Sequence, residues 1–465
     1  MNTFSKKSLH VALAGLGALG LANTADAVMV NPDGLGQVLI YPYYTVRSDA
    51  AGHSYNTLLS IVNTTASTKA VKVRFREGKA SAEVLDFNLF LSPHDVWTAA
   101  VVPNGTDGAA IQTADHSCTI PTIGDSTIPF RTTQADLDAI GPVAGRVTEG
   151  YFEVFEMATY GDTDPIHVDS LHDSTGFPAS CAGVTDAAAG ANPLPPTGGL
   201  AGGAMLINVE TGDEFAQNAT ALAQFWDPTA TTGNYFNTGD TRPDAFNAFA
   251  VASVVNQAGQ VVGAGFANGA LATTAALQRQ AVINEFVLDN LTASQTDWVM
   301  TFPTKHELVT SSAATPPFSS PLSTSGSCDD ATLVTYNREE KGVTPSGPDF
   351  SPSPQPSGFA LCWEANVISF NGHNLLGSMN RYDVTTGFEN GWAKLTWGPS
   401  AINVAAGAST YNPFTNTLSA ASTTFTGLPV IGFAAQSFTN GSLSTAGGID
   451  FGYGASFAHR YIGPQ

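Results

Sequence analysis

Apolar and polar residues alternate along the first quarter of the chain. In AVKVRFREG (70–78), Val71, Val73 and Phe75 fall on one side and Lys72, Arg74 and Arg76 on the other. EVLDFNLFLSP (83–93) places Leu85, Phe87, Leu89 and Leu91 on one face. TLLSIVNTT (57–65) and DVWTAAVV (95–102) read as two more strands, with short polar turns between them. A period of two with tight turns predicts a mainly β protein built as antiparallel sandwiches. The strand order in this region resembles immunoglobulin-like modules in architecture.

Further along, GRVTEGYFEVFEMATYG (145–161), AMLINVETG (204–212), TDWVMTFPTK (296–305), TLVTYNREE (332–340), FALCWEANVISF (359–370), GWAKLTW (391–397) and LPVIGFAAQSF (428–438) have strand character. DEFAQNATALAQF (213–225) fits a short helix or a strand. TAALQRQAVINEFVLDNL (274–291) is the best helix candidate, with Leu277, Ala281 and Phe286 on one face. The aperiodic stretch 184–203 reads as a linker or long loop. It divides an N-terminal sandwich, 28–183, from a C-terminal β-rich domain, 204–465. Within the latter, 328–362 reads as a stapled insertion whose SPSPQPSG (351–358) is polyproline-like.

The stretch GLGQVLIYPYYTV (34–46) is apolar, aromatic and broken by Pro42. Proline has no N–H to give to a ladder, so an edge position is expected for Val38 to Val46. An apolar edge can add to a neighbour's sheet. Leu39, Tyr41, Pro42 and Tyr43 are therefore the candidate assembly residues.

The ends and composition narrow the setting. Lys6 and Lys7, the apolar run Leu9 to Ala22 and Ala25-Asp26-Ala27 have the form of a signal peptide over residues 1–27. Export through the Sec pathway to the cell surface, the medium or the periplasm is expected. No later run is long enough for a transmembrane helix. Removing the leader leaves 16 basic against 38 acidic residues. Such a chain repels phosphate backbones, which speaks against nucleic acid as a partner. Only 12% of residues are charged, about half the usual share. The surface must then be dominated by small and neutral polar side chains, which suits packing against copies of itself or other surface components.

Export places the four cysteines in an oxidising compartment. Cys118–Cys181 and Cys328–Cys362 are the favoured pairs, since each lies within one expected domain.

Candidate chemistry is sparse. Asp162, Asp164, His167, Asp169 and His172 form the richest ligand cluster, mixing imidazoles with carboxylates as a transition-metal site would. The spacing matches no metal motif, and a polar loop inside the first disulfide is the plainer reading. Asp162 with Asp164, and Asp329 with Asp330, leave a structural calcium open; no other cofactor is indicated. His53 and Ser54 are neighbours, and on a strand they diverge. Glu339 and Glu340 diverge likewise. No G-x-S-x-G elbow or phosphate loop occurs in the expected mature chain. Tyr41, Tyr43, Tyr44, Trp97, Trp226, Trp298, Trp363, Trp392 and Trp397 are candidates for stacking on sugars, though most sit in apolar strand patterns.

The blocks GLGQVLIYPYYTV, VRFREGKASAEVLDFNLFLSPHDVWTAA, EGYFEVFEMA, TDWVMTFPTK, NREE, LCWEANVI and GLPVIGFAAQ resemble those of a family of exported proteins of Gram-negative bacteria. They span nearly the whole chain. The resemblance implies export and a common fold, and it transfers no catalytic residues. The expectation is a non-enzymatic structural or adhesive surface protein, self-assembling into a layer, fibre or matrix. The alternatives are a secreted hydrolase or a carbohydrate-binding protein acting on polysaccharide. An outer-membrane barrel fits less well, given the long irregular loops and the final Pro-Gln.

Overall fold

The computed structural model describes residues 27–133, 140–141, 145–343, 359–398, 401–403, 409–412, 417–420, 424–439 and 452–464. The expected leader up to Asp26 and the proline-rich 351–358 lie outside the described residues.

Ten main strands build the first sandwich: β1 (Val38–Thr45), β2 (Asn56–Asn63), β3 (Thr68–Glu77), β4 (Glu83–Leu91), β5 (Val96–Pro103), β6 (Ala109–Gln112), β7 (Glu149–Tyr160), β8 (Leu200–Asn208), β9 (Asp213–Asn218) and β10 (Thr220–Ala223). One sheet runs Met29–Val30, β10, β1, β7, β3, β4, Thr119–Ile120. The other runs β9, β8, β2, β5, β6, Ile128–Pro129. Val71, Val73 and Phe75 meet Ile61, Trp97 and Val101 in the core between them, the face that alternation predicts. Tyr41 stacks on Phe152 at 4.0 Å and donates through its hydroxyl to the Ser60 carbonyl at 2.6 Å. Gly202 makes room for that hydroxyl, because a Cβ there would meet the oxygen at 2.0 Å.

The second sandwich uses β11 (Ala281–Val287), β12 (Gln295–Thr301), β13 (Asp329–Asn337), β14 (Ala365–Phe370), β15 (Asn390–Trp397), β16 (Ile431–Thr439) and β17 (Gly452–Ala458). Its sheets run Gly342–Val343, β13, β15, β11, Arg460–Ile462, and Arg381–Val384, β14, β12, β16, β17. Val282, Phe286, Leu333 and Leu395 pack against Trp298, Met300, Ile368 and Phe370. The protein is thus mainly β, with antiparallel sandwiches; the pairing of β14 with Arg381–Val384 is parallel.

Four expectations change. First, β1 is an interior strand. It pairs with β7 on one side and β10 on the other, and all eight of its residues are buried. Pro42 is tolerated because the ladder is already interrupted there. Tyr44 pairs with Gly150 and Tyr41 with Phe152, so Pro42 and Tyr43 together oppose Tyr151 in a bulge. β10 pairs only with Val38 to Ile40 and stops short of the proline. Leu39, Tyr41, Pro42 and Tyr43 therefore offer no edge to a neighbour.

Second, the stretch 184–203 does not end the first sandwich. Its last residues begin β8, which pairs with β2 over Leu200 to Ile207. β9 continues that sheet, and the chain then turns at Ala219 so that β10 joins the opposite sheet. This resolves 213–225 as two strands.

Third, 274–291 is not one helix. The helix is α2 (Gly269–Leu277), capped by the Asn268 side chain, which accepts from Leu271 N at 2.9 Å. Small Ala, Gly and Thr residues let it be buried on almost every side. Beyond it Val282, Asn284 and Phe286 point inward and Ile283, Glu285 and Val287 face outward less buried, a strand pattern with β-branched residues.

Fourth, the basic face of β3 is not at the surface. Lys69, Lys72 and Arg74 are fully buried and Arg76 nearly so. The segment 235–244 lies over them: Lys72 donates to the Asn237 carbonyl at 3.1 Å and Arg74 to that of Pro243 at 2.7 Å.

The sandwiches meet along a shared apolar seam of Tyr43, Tyr55, Phe215, Val299, Val367 and Phe433. Glu149 fastens it, accepting from the Tyr43 and Ser378 hydroxyls at 2.6 Å each and from Met379 N at 2.8 Å. Thr301 donates to the Pro42 carbonyl at 2.6 Å. The strand read as an assembly edge thus joins the two halves of one chain.

Candidate functional site

The candidate ligand cluster Asp162, Asp164, His167, Asp169 and His172 is dispersed. Asp164 caps α1 (Pro165–Ser170), accepting from Ile166 N at 2.9 Å. His167 turns inward and bonds through Nδ1 to Thr68 Oγ1 at 2.9 Å. His172 meets Ser92 Oγ at 3.0 Å instead, with Asp95 at 3.6 Å. Asp162 is exposed, and the Asp169 carboxylate packs against Gly183. A short helix sends successive side chains in different directions. Asp329 pairs with Lys305 at 3.2 Å and accepts from Ser319 N and Oγ at 2.9 Å, so it is a buried ion-pair member. Among the described residues no three His, Cys, Asp or Glu side chains converge as metal ligands would.

Both disulfides form as paired in the sequence, Cys118–Cys181 and Cys328–Cys362. The first ties the excursion after β7 to the end of the first sheet. The second closes the base of a hairpin in which Asp329 pairs with Leu361. Ser54 bonds Ser48, while His53 lies against Asp49 at 3.1 Å, so the two do not form a base–nucleophile pair. Glu339 and Glu340 are exposed in a turn organised by Asn337. Among the described residues no helix is long and apolar enough to cross a membrane.

Sequence reasoning did not find the buried ionic layer on the outer side of the first sheet. Lys69 meets Glu156 at 2.5 Å, Arg76 meets Glu153 at 2.8 Å, Arg74 meets Glu83 at 2.8 Å and Lys72 meets Asp86 at 3.3 Å. Burial pushes the Glu156 carboxyl up, against the pull of Lys69 and of the Thr197 and Gly198 N–H groups. The layer continues to Tyr151, whose hydroxyl contacts Ser81 Oγ at 2.8 Å and His306 Nδ1 at 3.3 Å. Burial also raises Glu307, but His306 and Arg76 overcome it and hold the carboxyl at about 2. Glu364 is pushed up to about 8 by burial, with Lys305 and Ser81 opposing. Ser81, Tyr151 and Glu364 are buried, and the layer fastens the sheet from within.

The surface offers a different arrangement. On the second sheet the outward row is Ala216, Met205, Leu58, Ala100 and Gln112, one residue from each strand in register. The next row sets Asn218, Gly203, Ser60 and Thr98 side by side. Leu58 is 41% exposed. Thr113, Ala114 and Thr127 wall one side, giving a groove of about 930 Å³. Asp125 is the charged residue among those that line it. A five-strand face of mostly small, apolar and neutral polar side chains, with Asp125 in its groove and Glu214 at its margin, thus stands open on a chain of net charge −21. Period-two alternation marks these positions as outward, and their low charge is legible in the sequence. That they form one face depends on β8 and β9 joining β2, which no local pattern reveals.

No family model matches the chain, and no curated protein or solved structure matches it either.

Proposed function

We propose that this chain is an exported, non-enzymatic structural or adhesive protein of the cell surface that assembles with copies of itself through the outer face of β9, β8, β2, β5 and β6. The observation that carries this reading is the low charge of that face, where Asp125 is the charged residue among those lining the groove and Glu214 lies at its margin on β9. Copies that carry 16 basic against 38 acidic residues once the leader is removed repel one another over most of their surface. Association is least opposed where two weakly charged faces meet, and Leu58, Met205, Ala100 and Ala216 supply apolar area to bury there. Small side chains permit close face-to-face approach of sheets.

The two disulfides and the signal-like leader support export. The buried ion pairs and the seam between sandwiches support a rigid building block, which a layer or fibre requires. The test is electron microscopy of the protein purified from its native cells, beside size-exclusion of the same sample. Filaments or a lattice support the reading, and a monodisperse monomer at every concentration opposes it.

A further inference from the structure

Trp392 stands apart from the other tryptophans. Trp97 and Trp298 are fully buried and Trp226 is 5% exposed, whereas Trp392 is 39% exposed on the outer face of the second sandwich. It sits on β15 between Tyr336 of β13 and Glu285 of β11, in register with both. Its indole stacks on the Tyr336 ring, with centroids 4.5 Å apart and planes 17° from parallel. That stack fixes the plane of the indole. Gly391 lets the strands close up beside it, since a Cβ there would meet the Tyr336 carbonyl at 1.9 Å.

The other side of the indole looks toward β11. There Ile283, Glu285 and Val287 line a slot of about 480 Å³ with Trp392, Asn390 and Arg338. The Glu285 carboxylate is held by Arg460, whose Nη1 donates to both oxygens at 2.8 and 2.9 Å. A fixed aromatic wall, a short apolar floor and polar groups at the rim form a shallow recognition site.

We propose that this slot binds a neutral β-linked polysaccharide, with one hexopyranose ring stacked on Trp392. The face of an indole carries partial negative charge and attracts the slightly positive C–H groups of a flat apolar surface. A pyranose with equatorial hydroxyls presents such a surface and turns its hydroxyls outward to the rim lined by Asn390, Arg338 and Glu285. A β-linkage leaves C1 equatorially as well, so the chain runs on extended from the stacked ring, whereas an axial α-linkage turns the next ring out of that plane. The acidic chain disfavours a polyanionic glycan, so the ligand is neutral. The site lies on the second sandwich, apart from the weakly charged outer face of the first, and binding here does not depend on self-assembly.

The test is affinity electrophoresis of the full mature chain in native gels containing hydroxyethylcellulose or laminarin, with α-linked dextran as comparison. The variants are Trp392→Ala and Trp392→Phe, each checked by circular dichroism and melting temperature. The wild type is expected to be retarded by a β-glucan and not by dextran. Trp392→Ala weakens apparent affinity about tenfold or more, and Trp392→Phe retains part of it. Failure of both β-glucans to retard the wild type overturns the proposal. So does equal retardation by dextran, or retardation unchanged in a folded Trp392→Ala variant.

Discussion

Lys69 Nζ lies 2.5 Å from Glu156 Oε1, with both side chains wholly out of solvent. Glu156 also accepts from Thr197 N at 3.0 Å and Gly198 N at 2.7 Å. The pair thereby ties β3 and β7 to the segment that leads into β8. Removing one partner strands a buried charge, so Lys69→Met should cost about 3–5 kcal/mol. Lys69→Met combined with Glu156→Gln should recover part of that loss, because the buried charge is gone, although the single amide oxygen can accept from one of the two N–H groups, which bond different carboxylate oxygens. Urea denaturation of the single and double variants measures both.

The interior position of β1 makes its aromatic residues core residues. Tyr41→Ala should destabilise the protein by about 3–5 kcal/mol through the cavity left against Phe152. Thr301→Val should cost about 1 kcal/mol by removing the hydroxyl that bonds the Pro42 carbonyl. An edge strand devoted to assembly would show the reverse, with Tyr41→Ala altering association and leaving the denaturation midpoint in place.

The stability that Glu364 contributes should fall as pH rises from mildly acidic to neutral and beyond. Burial raises Glu364 from its ordinary 4.5 to about 8, so the folded state holds a proton that the unfolded state releases. The stabilisation is full below about pH 4.5 and is lost as pH climbs through 8. Glu307 acts oppositely: with its carboxyl held at about 2, its contribution is present above pH 4.5 and is lost as pH falls toward 2. Melting curves across pH 3 to 9 should show Glu364→Gln flattening the decline on the alkaline side only.

Each disulfide should matter by a similar amount. The cysteines are 63 and 34 residues apart, which the loop-entropy relation converts to about 4 kcal/mol each. Cys118→Ser with Cys181→Ser should lower the denaturation free energy by that order, and so should the pair Cys328→Ser with Cys362→Ser. A loss below about 1 kcal/mol for either pair contradicts the account.

Much of the strand content was legible because alternation is local. Val71, Val73 and Phe75 on one face, and the strands at 56–63, 83–91 and 96–103, follow from neighbours in sequence. The disulfide pairs were legible because the two members of each fall within one expected domain. What failed was non-local. Pro42 reads as an edge marker until β1 bulges at Pro42 and Tyr43 opposite Tyr151, and that partner strand lies a hundred residues away. Lys72, Arg74 and Arg76 read as a polar face until the segment 235–244 covers them and acids meet them. Residues 274–291 carry a helical spacing of Leu277, Ala281 and Phe286, but pairing of β11 with β15 overrides it. The two proposed surfaces were hidden for the same reason. Trp392 gains its neighbours Tyr336 and Glu285 only when strands from three regions are brought into register.

The central claim is that the weakly charged outer face of the first sandwich joins copies of this chain. Sedimentation velocity over a wide concentration range, comparing the wild type with Ser60→Glu/Thr98→Glu, tests it most directly. Both substitutions sit on the exposed rows of the groove and add like charge to each facing surface. The account predicts concentration-dependent assemblies for the wild type and a folded monomer for the variant. A wild type that stays monomeric throughout, or a folded variant that assembles equally well, contradicts it.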